Sequence, residues 1–354
     1  MSVLNTGLQQ KNVGEEYMNW TKGKVLFVAL LVAVTGTSIG IYLGLNSPPD
    51  VRIGYLGGDL HQLAYYVAVK QGFYQEEGLT VEGVSYANGA EVMTSFESLN
   101  RPIDMAYLGF APAITHRFTV AAAKITVLAE ANVNGTAIVV NESINSMLDL
   151  VSKKVAIPAR NNMQDFILRM ALDSVGLQYS NVTTVTGMSG SDMITALQKN
   201  SIDAFVSWEP FPSRATHGTS IVGKILNNSG ALWANHPCCV LAAHDDFIAS
   251  HRDIVAKVLK VHVRATRWIV DNWEAAKQIA MDEMNLSNEQ ATAAMSNVGF
   301  QYDPILPEYV KFLQKLIPMN IPGISMSSAN IPAGMTETQF TSYFVNASIL
   351  HSIL

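Results

Sequence analysis

The sequence predicts an α/β protein of two similar lobes, each a mostly parallel sheet flanked by helices, with a ligand cleft between the lobes. Three observations carry this. Ile103-Asp104 and Ile202-Asp203, 99 positions apart, stand in the same grammar: a helix end, a tight turn, an Asp, then a short apolar run over 105–108 or 204–206. Each run stops at residues suited to meeting a ligand, Gly109-Phe110 in one copy and Trp208-Glu209 in the other. Continuous apolar runs of this kind alternate with segments of helical period, as expected for strands buried on both faces by crossover helices. In such sheets the carboxyl ends of the strands open onto the binding crevice.

In chain order, strands are expected over 51–56, 79–86, 103–108 and 125–131. A helix carrying Leu63, Val67, Val69 and Phe73, and others over 90–99 and 111–120, alternate with them. Residues 132–135 read as a crossing. The second lobe repeats the alternation, with strands over 136–140, 154–158 and 182–186 and helices over 164–175 and 192–198. A return strand over 236–243 leads into a helical cover over 253–273, 275–284, 289–298 and 307–317, and 336–354 docks as a last helix. The domain plan is therefore 51–133 for the first part of lobe 1, 134–236 for lobe 2, and 237–354 for the return to lobe 1 and the C-terminal helices.

At 354 residues the chain suits two lobes and an appendage. Hydrophobic residues make up 49%, charged residues 15%, and the net charge is −6, which excludes a disordered chain. No stripe of Lys and Arg is present, so no nucleic-acid partner is expected. Residues 25–45 carry no charge and are long enough to span roughly 30 Å of hydrocarbon. Lys22 and Lys24 flank the amino side, so the positive-inside rule puts 1–24 in the cytoplasm and the chain beyond the linker 46–50 outside. The expected location is the cell membrane, single-pass, with the binding domain extracytoplasmic; a cleaved signal peptide is the competing reading.

Cys238 and Cys239 are the only cysteines. Their alternation on a strand predicts two buried thiols on opposite faces. A metal site would need further ligands, and only His236 is near in sequence, so neither metal nor cofactor is expected.

Candidate ligand contacts follow from the strand-to-helix turns. Gly57 and Gly58 permit close backbone approach before a helix start, and Asp59 follows them. Asn88-Gly89 caps the next helix, and Gly109-Phe110 ends the third strand. Asn162 and Gln164 can donate to oxygen ligands, Arg160 can neutralise an anion or stay solvated, and Ser189 or Ser191 caps a helix. Trp208 and Glu209 complete the set, with a core aromatic and an outward carboxylate as the alternatives. Asp59 and Glu209 would suit an amine and the helix ends an anion, which together favour a zwitterion such as an aminosulfonate.

These residues resemble the substrate-binding proteins of ABC importers, in the nitrate, sulfonate, taurine and bicarbonate group that shares a domain with the thiamin-pyrimidine synthases. The resemblance covers 51 to about 320 and rests on Arg52-Ile-Gly-Tyr, Gly72-Phe-Tyr-Gln-Glu-Glu-Gly-Leu79, Asn88-Gly-Ala-Glu-Val-Met93 and Lys153-Lys-Val-Ala-Ile-Pro158. The two Ile-Asp runs and Pro237-Cys-Cys-Val240 before Asp246-Phe247 complete it. It implies a type 2 periplasmic-binding-protein fold, hinge closure on a small solute, and delivery to a membrane permease served by an ATPase, with the binder itself a monomer and not an enzyme. The alternative is a thiamin-pyrimidine precursor binder or synthase. The synthases imply a pyridoxal-phosphate lysine, where this chain has Leu108, and a longer cysteine run than Cys238-Cys239. His61 and His116 are left unassigned.

Overall fold

Two mixed sheets, one at the centre of each lobe, order residues 48–354, which the computed structural model describes. The strands are β1 (Val51–Leu56), β2 (Val81–Tyr86), β3 (Met105–Gly109), β4 (Ile125–Asn134), β5 (Thr136–Val140), β6 (Lys154–Ala156), β7 (Thr183–Val185), β8 (Ala204–Trp208), β9 (Lys224–Asn228), β10 (Pro237–His244) and β11 (Val298–Phe300). The first sheet runs β11-β4-β10-β3-β1-β2 and the second β7-β6-β8-β5-β9. The apolar run 25–45 lies outside the described residues, and among those described no helix is long and apolar enough to cross a membrane.

The repeated Asp has the same structural cause in both lobes. Asp104 Oδ2 accepts the Arg52 N–H at 2.8 Å, while the Asp104 N–H donates to the Arg52 carbonyl. Asp203 does the same to Lys154, Oδ2 accepting its N–H at 2.9 Å. Each Asp thus pins the start of the neighbouring parallel strand, β1 or β6, before the ladder begins. Behind it the apolar run is fully buried: β3 is closed from Met105 to Leu108, and all of β8 is buried.

The sheets are not mostly parallel. β1 pairs in parallel with β2 and β3, but β10 runs antiparallel to β3 and β4, and β11 antiparallel to β4. In the second sheet β6 is parallel to β7 and β8, whereas β5 is antiparallel to β8 and β9. The antiparallel strands are those that carry the chain between lobes: it leaves the first sheet along β4, enters the second as β5, and returns along β10. A strand that crosses without a helical connection is free of the right-handed crossover that enforces parallel pairing.

Short elements differ most from expectation. Val69 is 45% exposed because it stands two residues past the buried Val67, on the opposite face of the helix, which ends at Lys70, and Gly72, at φ 71°, starts a separate turn of helix at Phe73. β9 and the three-residue β11 are additional strands; the helix before β11 stops at Asn297, one residue short of the expected end, because the chain turns extended there to pair with β4. The tail forms two helices, Glu337–Phe344 and Ser348–Ile353.

The helix Arg252–Asp271 covers the first sheet with Val255, Val258, Leu259 and Ile269 inward. Its His262 is fully buried, with Nε2 2.7 Å from the Glu130 carbonyl and Nδ1 3.0 Å from the Tyr107 hydroxyl. A carbonyl only accepts, so Nε2 carries the proton and Nδ1 accepts from Tyr107. Burial holds this neutral imidazole down at about 4. The unfolded chain takes up the proton near pH 6.5, so this contribution to stability is present above that value and is lost as pH falls towards 4. It should cost about 2 kcal/mol by pH 5. Urea unfolding at pH 7.5 and pH 5 should show a larger acid loss in the wild type than in His262→Gln; equal losses would rule this histidine out as the source.

Candidate functional site

The carboxyl ends of β1, β3 and β8 converge with helix starts on one cavity between the lobes. From the first lobe come Leu56, Asp59 and His61, together with Gly89 and Gly109 at the starts of the helices Gly89–Glu97 and Phe110–Thr119. The second lobe contributes Asn162, Met163 and Gln164 from the first turn of the helix Met163–Asp173, and Trp208 from the tip of β8. Cys238 and Cys239 form the floor. The cavity volume is about 20 Å³, close to what one water needs.

Close approach dictates the glycine at position 89: a Cβ there would stand 2.7 Å from Pro112 Cγ, so only glycine lets the two first-lobe helix starts meet. Gly109 has no side chain to cap its helix, which leaves the Phe110 and Ala111 N–H groups without a cap next to the Gly109 wall of the cavity, while Pro112, third in the helix, has no N–H to offer. The Trp208 indole N–H is buried and has no protein partner among the described residues. No lysine or arginine of the described residues lines the cavity.

Of the residues expected from sequence, Asp59, Gly89, Gly109, Asn162, Gln164 and Trp208 meet here. The others have different tasks. Gly57 and Gly58 turn the chain outside the lining, Gly58 donating to the Tyr66 hydroxyl at 3.0 Å. Asn88 caps its helix by accepting from the Ala90 and Glu91 N–H groups. Phe110 is buried edge-on against Tyr309 and Phe312. Arg160 is exposed and donates to Tyr179, and Ser189 closes a capping box with Asp192 on an exposed turn. Asn162 lines the cavity while also capping its helix through the Asp165 N–H, and Gln164 donates to Thr136 at 3.1 Å.

The floor differs from the sequence expectation. Against β4, Pro237 pairs with Val133 and Cys239 with Asn132, so Cys238 is an extra residue in a β-bulge. Asn132 Oδ1 accepts the Cys239 N–H at 3.0 Å within it. The bulge breaks the two-residue alternation and brings both thiols to one side, Cys238 Sγ 3.4 Å and Cys239 Sγ 3.7 Å from His61 Nδ1. His236, the sequence neighbour, instead bonds the Pro237 carbonyl through Nδ1. His61 reaches the cysteines because Asp59 caps its turn, accepting the His61 N–H at 2.9 Å, and because Nε2 sits 2.9 Å from the Gly135 carbonyl. That carbonyl can only accept, which leaves Nδ1 turned to the sulfurs.

Burial lifts Asp59 to about 6. On His61 burial acts downward, but the Cys238 sulfur and the Asp59 carboxylate beside it lift the imidazole to about 9. Cys238 is held well below an ordinary thiol by the Cys239 S–H and by His61, and Cys239 is pushed up by the same sulfur contact. Sequence spacing could not find His61, which lies 177 residues from Cys238. The only local hint was a histidine just after the Gly-Gly-Asp turn.

Glu209 is fully buried and does not line the cavity. Its carboxylate accepts from Asn297 Nδ2 at 2.8 Å and from the Ser213 N–H at 3.1 Å, tying β8 to the helical cover. Glu209→Ala would leave the buried Ser213 N–H and the half-buried Asn297 amide unpaired and should cost about 2 kcal/mol of stability. The urea midpoint measures this, and a variant as stable as the wild type would contradict the structural role.

Known proteins share this architecture. The taurine-binding periplasmic protein of Escherichia coli K12 is 25% identical over 202 residues, 56% of this chain and 61% of that protein. Among solved structures, the alkanesulfonate-binding protein SsuA from Xanthomonas axonopodis pv. citri, bound to MOPS, superposes with a TM-score of 0.68 at 15% identity, covering 84% of this chain and 98% of that one. The periplasmic nitrate-binding protein NrtA from Synechocystis PCC 6803 gives 0.70 at 16% identity, over 87% and 89%. The two-sheet architecture is thus the periplasmic-binding-protein fold, and the NMT1-like family model matches residues 46–281. The chain belongs to the NMT1-like family.

Proposed function

We propose that this chain is the solute-binding component of an ABC importer, capturing a small polar or anionic solute between its lobes and passing it to a permease and its ATPase. The observation that carries the reading is the convergence of uncapped helix N–H groups from lobe 1 and the unpartnered Trp208 N–H from lobe 2 on one cavity. Both are donors, so they suit the oxygens of a sulfonate, nitrate or bicarbonate. The similarity to taurine-, sulfonate- and nitrate-binding proteins supports the same class. Asp59, Asn162 and Gln164 are the remaining polar contacts in this reading, and Glu209, Arg160 and Ser189 are supporting residues.

Lobe closure is the mechanism. The Leu60 N–H donates to the Glu209 carbonyl at 3.1 Å across the lobes, which holds the cleft narrow beside the cavity. The lobes therefore open to admit solute, and ligand contacts to both lobes shift the population back towards closure. Residues 25–45 serve as the membrane anchor and 46–50 as the linker. The tether holds a monomeric binder near its permease and raises its effective concentration there. The named relatives are binding proteins, and Leu108 is a buried core residue of β3, which favours a binder over a pyrimidine synthase.

Thermal shift of the full-length chain against taurine, alkanesulfonates, nitrate, bicarbonate and thiamin pyrimidines tests the class. A cognate solute at about 100 times its Kd should stabilise by roughly 2.7 kcal/mol, and silence from taurine, alkanesulfonates, nitrate and bicarbonate would remove the proposed substrates. With a hit in hand, Trp208→Phe should weaken binding about tenfold by deleting one donor. Unchanged affinity would take the indole out of the contact set.

A further inference from the structure

The cavity floor carries chemistry that solute capture by helix ends does not use. His61 Nδ1, Cys238 Sγ and Cys239 Sγ are all buried and lie within 4.8 Å of one another. In a tetrahedral zinc site, with bonds of about 2.3 Å to sulfur and about 2.0 Å to nitrogen, the ligand sulfur and nitrogen stand about 3.5 Å apart. The separations here, 3.4 and 3.7 Å, bracket that value.

Two further features are those of a ligand set. The His61 Nε2–H donates to the Gly135 carbonyl, the outer contact that fixes a metal-binding imidazole in one tautomer and one orientation. The bulge at Cys238, with its Cys239 N–H held by Asn132, converts neighbouring residues of opposite face into two sulfurs of one face.

We propose that His61, Cys238 and Cys239 hold a thiophilic metal ion of the zinc class, with a fourth coordination position opening into the cleft. Two protons leave as the ion enters, so the trio becomes two thiolates and a neutral imidazole. Two thiolates and a divalent cation sum to zero charge, which leaves the buried Asp59 carboxylate, 3.8 Å from His61 Nδ1, as the remaining anionic group beside the site. A fourth ligand fits the small cavity as one water or as the terminal oxygen or nitrogen of a solute. All three side chains belong to the lobe of the first sheet, so the site stands whether or not the chain serves an importer.

The test uses the full-length chain, reduced and stripped with a chelator, and zinc alone as the first probe. Competition against a chromophoric chelator should give one equivalent bound, and zinc should protect two thiols from a thiol-reactive reagent. Cobalt(II) should produce thiolate-to-metal charge-transfer bands. Cys238→Ser/Cys239→Ser should lose the equivalent, and His61→Gln should weaken it at least tenfold. If the wild type binds zinc no better than the double variant, or if cobalt gives no thiolate bands, the trio is a hydrogen-bonded thiol–imidazole cluster and the proposal fails. The cobalt spectrum is read on the wild type alone, so it decides the matter even where the double variant misfolds. No solute is present in these titrations, so failure here is independent of the solute screen.

Discussion

One peptide group, that of Gly135, holds the two lobes to a common geometry. It joins β4 to β5, the single step by which the chain passes from the first sheet to the second, at a φ of 84° that side chains rarely adopt. A Cβ there would stand 2.3 Å from His61 Nε2, so space and backbone conformation exclude other residues together. Its carbonyl accepts from His61 of the first lobe and from the Glu209 N–H at the end of β8 in the second. The turn after β1, the crossing strand and the tip of β8 are thereby fixed against one atom, and the cavity forms where those three meet.

Around that crossing the two lobes are built on one rule. A buried strand needs a defined start, and Asp104 and Asp203 supply it by bonding an N–H in the opening two residues of the neighbouring parallel strand, Arg52 of β1 and Lys154 of β6. Register then follows from burial, because a one-residue slip would turn the closed faces of β3 or β8 to the wrong side. The same rule explains why the strand tips arrive together at the cleft. The echo seen in the sequence is thus a device of the scaffold, and the residues just past each strand inherit their position from it.

How far the sequence could be read depended on the range of the interactions. Local signals were legible: the Ile-Asp echo, the apolar runs of β1, β3 and β8, and the capping by Asn88 and Ser189 all act within a few residues. Strand direction was not, because β4 and β10 are as buried as a parallel strand and read the same way. A three-residue β11 is too short to show a period. Trp208 at a strand tip was identifiable as a cleft residue, whereas Glu209 beside it turned into the interior, since Asn297 and Ser213 supply partners that no local pattern announces. The floor was least legible. The bulge depends on Asn132 across the sheet, and His61 meets the cysteines only through the tertiary fold.

The division of the cavity between elements bears on how it can select a ligand. Asn162, Gln164 and Trp208 arrive with the second lobe, so their contacts exist only when the cleft is narrow. His61, Cys238 and Cys239 belong to the first lobe, and their mutual distances do not depend on closure. A solute that engages the floor first meets a preorganised set of groups and incurs ordering costs only on the second-lobe side. With no lysine or arginine of the described residues in the lining, charge recognition falls to the floor, the one uncapped helix start at Gly109 and the indole donor. A metal ion on the floor would replace the missing cationic side chain with a fixed Lewis acid, aimed at the end of the solute that must enter first.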